Sequence, residues 1–279
     1  NRPRLLTALH QSPPRFRRSV RGSWLYLRYP LVDPDGWLEK MRTRVGWFFT
    51  PQFALLASLL TLAGMIVVLA ERRVLAGEVA DLYRVTMIVP IVAIAFLLIT
   101  AHELAHGMTC KWFGGEVHEI GLMLIYFQPA MYCNVSDAWL FPERSKRLLV
   151  GLAGPLFELF LWSLATLTWR FTEPDTWIHT ASLIVLAIAG VKTLVNFNPF
   201  IKLDGYYLLS DYLEIPNLRR KAFRYVGGLT ERLFSGETDA PEPSPRERRI
   251  FLAYGLVSSV ASLGLAAYVL LATGEMLLD

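Results

Sequence analysis

Charge is missing from long stretches of this sequence. Phe53 to Ala70 carries none, nor does Val85 to Ala101, nor Ile250 to Thr273. Leu148 to Trp169 holds one acid, Glu158, and Trp177 to Ile201 one base, Lys192. Uncharged runs of this length exclude an ordinary soluble core, because about 20 apolar residues are what a helix needs to cross a bilayer. Cysteine is scarce too. Cys110 and Cys133 are the two present, and neither stands in a Cys-x-x-Cys pair. That excludes a disulfide framework and a cysteine metal or redox site, and both read as buried, reduced thiols. Histidine numbers five, too few for the histidine boxes of a membrane di-iron desaturase or hydroxylase. No Gly-rich phosphate loop or nucleic-acid motif occurs. The net charge of +4 lies beside the apolar runs, so it speaks for membrane orientation rather than a nucleic-acid partner. The bases of the first 30 residues are not followed by an apolar stretch, so the expectation is that this segment is not a cleavable signal peptide. With Asn1 in place of Met and Asp279 just after an apolar run, the expectation is a piece of a longer protein.

What is present organises as an all-α polytopic membrane protein with about five transmembrane helices. The expected spans are 53–70, 85–110, 148–169, 178–201 and 250–273. Residues 1–50 mix arginines with Trp24, Tyr26, Tyr29, Trp37, Trp47, Phe48 and Phe49, a composition suited to the cytoplasmic membrane interface. A membrane-embedded core is expected over 51–224, a Pro- and charge-rich cytoplasmic linker over 225–249, and a last transmembrane helix over 250–279. Lys and Arg crowd 1–50, 144–147 and 219–249, while the loops 71–84 and 170–177 are balanced. The positive-inside rule then puts the N-terminus in the cytoplasm and the C-terminus outside. Ile120 to Met131 is apolar but too short to cross. It reads as a short membrane-embedded hairpin between the second and third spans, with its backbone covered by protein.

The chemistry concentrates at His102-Glu103-Leu104-Ala105-His106. Residues four apart share a helix face, so two imidazoles one turn apart can grip one zinc while Glu103 reaches its water. Ionisable groups are expensive in a bilayer and mark functional sites there. Zinc in a catalytic site takes a third protein ligand. The fourth span also runs inward and ends in Asn196-Phe197-Asn198-Pro199-Phe200-Ile201-Lys202-Leu203-Asp204-Gly205, which brings Asp204 to the depth of His106. Pro199 is expected to break or kink that span, and Gly205 to permit a tight turn after the acid.

HExxH in one span and Asn-x-x-Pro-x-x-x-Leu-Asp-Gly at the end of a later one resemble the site-2 protease family of intramembrane zinc metalloproteases. Phe113-Gly114-Gly115-Glu116-Val117-His118-Glu119-Ile120-Gly121, Ser136-Asp137-Ala138-Trp139 and Asp204 to Asp211 resemble one bacterial branch of peptide zinc metalloproteases. That branch is often joined to an export-adaptor domain of the membrane-fusion type. The resemblance covers roughly Leu25 to Arg224. It implies zinc as cofactor, His102, His106 and Asp204 as metal ligands, and Glu103 as general base. It also implies a hydrophobic hairpin at about 117–133 that lies along substrate. Gly151-Leu152-Ala153-Gly154-Pro155 is similar to the family's Gly-Pro segment. Many members carry Asn soon after that Pro, and here Glu158 stands nearby; it reads either as an acid bonded near the site or, the reading preferred, as a helix-packing acid.

Asn196, Asn198, Pro199, Gly205 and His118 are the candidate substrate-binding residues. Asp137 is placed outside direct ligation, Lys202 as a snorkelling base and His179 near the outer face. The expected activity is hydrolysis of a peptide bond in a membrane protein or exported peptide near the cytoplasmic face of a bacterial inner membrane. The expected partners are that membrane-embedded substrate, the lipid bilayer and an export-adaptor domain or protein. The alternative is a non-catalytic zinc-containing component of a peptide export or assembly system.

Overall fold

The computed structural model describes residues 21–23, 26–125, 128–235 and 243–278. The chain divides into two compact units, Asn1–Val195 and Asn196–Asp279.

Four helices of the first unit are long and apolar enough to cross a membrane: Pro51–Ala70 (α2), the stretch Val85–Trp112 that contains α4 (Ile88–Trp112), Arg144–Phe171 (α5) and Trp177–Asn196 (α6). Their starts follow ordinary rules. Pro51 opens α2 with its fixed φ, and the Thr50 hydroxyl caps it by accepting the Phe53 N–H at 3.2 Å. Leu55, Leu59, Leu62 and Ile66 of α2 are exposed in the protein, a surface suited to lipid. Its other side meets α5, where Gly64 lies against Trp162 and Ser163. The short helix Arg72–Asp81 (α3) follows α2.

The all-α expectation fits the described helices, and a hairpin stands where one was expected after the second span. The apolar run after α4 is a strand pair, Ile120–Ile125 (β3) and Gln128–Cys133 (β4), and it does not stand alone. Arg21–Ser23 (β1) and Tyr26–Val32 (β2), from the basic aromatic segment, complete a four-stranded antiparallel sheet in the order β1-β2-β3-β4. Tyr29 faces Leu122 and Ile120 faces Cys133 in its register. Backbone groups beside a bilayer must be satisfied within the protein, and strand pairing does this where the run is too short to cross. Gly121 permits the closest approach: a β-carbon there would collide with the Tyr29 carbonyl. Of the expected 1–50 segment, residues 1–20, 24 and 25 lie outside the described residues. The rest, after β2, forms the helix Asp35–Arg42 (α1) and a 3-10 turn, Gly46–Phe49.

In the second unit, Asp204–Leu213 (α7), Leu218–Ser235 (α8) and Pro245–Leu278 (α9) pack around Tyr206, Ile215, Leu218, Ala222, Phe251 and Tyr254. The stretch expected as a linker is therefore helical up to Ser235 and again from Pro245, with 236–242 outside the described residues. The expected fourth span also ends early. α6 stops at Asn196, because the residue before a proline avoids the helical region and Pro199 has no N–H to continue the ladder. α9 is helical across the expected fifth span, but it is not among the four helices that meet the length and apolarity of a span among the described residues.

Candidate metal centre

His102 and His106 lie one turn apart on α4, 4% and 7% exposed. Their Nε2 atoms are 3.2 Å apart. Residues of α5 stand against the Nδ1 side of each ring. His106 Nδ1 donates to the Val150 carbonyl at 2.7 Å, and His102 Nδ1 lies 3.3 Å from Glu158 Oε2. Between these two contacts sits Gly154. A β-carbon there would fall against the Nε2 atoms of both imidazoles. Val150, Gly154 and Glu158 are spaced four and four, so they form one stripe of α5, matched to the four-residue spacing of the histidines on α4. Only glycine at the middle position leaves room in front of the Nε2 pair.

This arrangement constrains the protons. The Val150 carbonyl can only accept, so His106 Nδ1 is its protonated nitrogen, and the nearby Glu158 carboxylate favours the same tautomer for His102. With those tautomers both Nε2 atoms present lone pairs toward one another at 3.2 Å, a spacing that a shared cation, or a proton on one of the rings, accommodates. Two nitrogens on a tetrahedral zinc, with bonds of about 2.0–2.1 Å, would stand about 3.3 Å apart. The side chains fit that metal.

Glu103 Oε2 accepts the Cys133 N–H at 2.8 Å. The catalytic candidate is thus tied to the last residue of β4. Gly107, one turn on, runs tight against the Cys133 sulfur, so helix and strand approach closely there.

Below the motif, α4 is anchored by a contact that sequence reading missed. Lys111, 8% exposed, donates to both carboxylate oxygens of Asp35 at 2.8 Å, and Asp35 Oδ1 also accepts the Val117 N–H at 2.9 Å. Burial raises the Asp35 carboxyl, but the Lys111 ammonium and the Val117 amide outweigh it and hold the pKa below its ordinary value.

The remaining candidates fall elsewhere. His118 stands between Glu116 (2.9 Å) and Asp33 (3.3 Å). Burial lowers its pKa, yet these carboxylates prevail and raise it. Asp137 accepts the Glu116 N–H at 3.0 Å, a loop-fixing role. His179 is buried among Glu78 and Thr172, and Lys202 is exposed. Asp204, Asn196, Asn198, Pro199 and Gly205 belong to the second unit. Asp204 is the first residue of α7, where a carboxylate suits the helix N-terminus. Asn198 Oδ1 accepts the Phe200 N–H at 2.9 Å, and the Pro199 carbonyl accepts the Tyr254 hydroxyl at 2.9 Å. Gly205 lies within α7, not in a turn. Its missing side chain allows close packing, since a β-carbon would stand 2.5 Å from the Phe197 carbonyl oxygen. Glu158 fits both roles read for it in the sequence: it pairs with Lys192 of a neighbouring helix at 2.8 Å and stands 3.3 Å from His102 Nδ1.

Comparison with known proteins agrees in direction. The chain is 27% identical over 132 residues to a Bacillus subtilis (strain 168) protein named "Putative peptide zinc metalloprotease protein YydH", covering 47% of this chain and 50% of that protein. It is 32% identical over 89 residues to "Uncharacterized protein MJ0971" of Methanocaldococcus jannaschii, covering 31% of this chain and 24% of the other. The chain thus spans half or less of the relatives it matches. No family model and no solved structure matches it.

Proposed function

We propose that this protein is a membrane-embedded zinc metalloprotease of the site-2 type, with His102, His106 and Asp204 as metal ligands and Glu103 as general base. The observation that carries the reading is the converging Nε2 pair on an apolar, span-length helix, with space kept open by Gly154. His102, His106 and Asp204 together offer two imidazole nitrogens and a carboxylate oxygen, a donor set that could hold a metal ion and that zinc takes in catalytic sites. The likeness to a protein named as a zinc metalloprotease points the same way.

Bound zinc would polarise the scissile carbonyl and lower the pKa of the attacking water toward about 7. The protein does the rest. Glu103 takes the proton of that water and delivers it to the leaving amine. The Cys133 N–H holds the Glu103 carboxylate in place between these transfers. An extended substrate backbone pairs with the outer edge of β4, so a helical segment unwinds before it is cut. The substrate is a membrane protein or exported peptide, cut near the cytoplasmic face. α9 supplies the fifth span, the N-terminus is cytoplasmic, the C-terminus lies outside, and the membrane is a bacterial inner membrane. An export-adaptor domain or protein is the expected associate.

The test is metal content of the detergent-purified chain beside His106→Ala, Asp204→Ala and Glu103→Gln. The expected result is about one zinc per wild-type chain, lost in the first two variants and kept in Glu103→Gln. Cleavage of a membrane-embedded reporter should fall by about 10²- to 10⁴-fold in Glu103→Gln. Zinc retained in Asp204→Ala would remove that residue from the ligand set. Undiminished cleavage by Glu103→Gln would end the protease reading.

A further inference from the structure

The polar contacts behind His102 continue into a third helix. Glu158 is 1% exposed, and its two oxygens serve two different partners. Oε2 faces His102 Nδ1 at 3.3 Å, while Oε1 accepts from Lys192 Nζ on α6 at 2.8 Å. A base, an acid and an imidazole therefore link α6, α5 and α4 through the interior of a set of span-length helices. Joining α5 to α6 requires only the Lys192 end. The second carboxylate oxygen, turned toward the histidine ring, has no packing explanation. In an apolar environment a bent or swinging ionic side chain is costly, so a carboxylate held by Lys192 is a stiff one.

We infer that Glu158 and Lys192 are positioning residues for the metal centre: Lys192 fixes the Glu158 carboxylate, and Glu158 fixes the plane and tautomer of His102 so that Nε2 faces the metal. This rests on the reading of the histidine pair as a zinc site. His106 obtains the same service from the Val150 backbone carbonyl, which no substitution removes. The two ligands thus differ. One is held by backbone and the other by a side chain that can be changed. Carboxylates behind ligating histidines set ring orientation and basicity, and their loss weakens metal binding by about 10- to 100-fold.

The experiment is zinc affinity of the full chain in detergent, by competition with a chromophoric chelator. The visible spectrum of the Co²⁺-substituted protein serves as a second readout, and circular dichroism monitors the helices. Glu158→Gln should weaken zinc binding by about 10- to 100-fold and alter the Co²⁺ bands. Lys192→Met should shift both in the same direction. The double variant Glu158→Leu/Lys192→Leu removes both charges together, so it keeps an apolar helix contact and separates packing from positioning. It should retain its helices and still bind zinc weakly. Wild-type affinity and spectrum in the double variant would overturn the inference and reduce the pair to a helix tie. Where Glu158→Gln alone loses helix content, the double variant decides the matter. A wild-type chain that takes up no zinc would overturn the metal reading itself, and this inference with it.

Discussion

Replacing Gly154 by alanine adds a single methyl group, and the structure says where it lands. The new carbon would stand 2.5 Å from His102 Nε2 and 2.6 Å from His102 Cε1, with His106 Nε2 at least as near. Carbon and nitrogen in ordinary contact keep about 3.5 Å apart, so the rings must retreat by about 1 Å. A metal bond of about 2.0–2.1 Å does not survive that movement. Neither ring can yield easily, since His106 is hydrogen-bonded to the Val150 carbonyl and Glu158 stands 3.3 Å from His102 Nδ1. The expected result is a loss of zinc affinity of at least 100-fold with helix content retained. Overpacking of this kind costs about 1–3 kcal/mol. The sign makes the test sharp. In an ordinary helix, glycine to alanine is stabilising by roughly 0.5–1 kcal/mol. Thermal unfolding in detergent and chelator competition measure both effects. A Gly154→Ala protein that is more stable and binds zinc like wild type would refute the geometry of the site.

Three further outcomes are expected. Asp35→Ala should lower stability by about 2 kcal/mol, because it leaves the Lys111 ammonium without the acceptors that hold it. The same contact has a defined acid limit. The Asp35 pKa is depressed in the folded state, so its contribution is present above the ordinary value of 3.8 and fades as pH falls through the lower folded value; unfolding of wild type across acid pH should show a step that Asp35→Asn lacks. Gly205→Ala should destabilise the second unit by about 1–3 kcal/mol through collision with the Phe197 carbonyl, read by protease sensitivity of α7 to α9, and an unchanged digestion pattern would count against that packing.

Much of this protein was legible along the chain. Span-length runs with at most one charge follow from the cost of placing charge in hydrocarbon, and four of them became apolar helices of the expected position. The His102-Glu103-His106 spacing declared its own geometry, since helical periodicity alone puts the two imidazoles on one face. Turn chemistry was also local: Pro199 ended α6, although five residues sooner than the apolar pattern implied. The sheet was harder to see. Ile120 to Met131 is apolar in either conformation, and its pairing with Tyr26–Val32 joins segments far apart in sequence.

What the tertiary structure alone decided is how the motif is held. Gly154 reads along the chain as part of a Gly-Pro segment, and Glu158 as an acid with two open roles. Only the packing of α5 against α4 turns Val150, Gly154 and Glu158 into a stripe that orients one ring, makes room for both, and faces the other. Lys192 gains its meaning the same way, through a contact with Glu158 on a different helix. Spacing within one helix fixes which residues can act together. Which partners stand behind them depends on contacts between helices, and no local period encodes that.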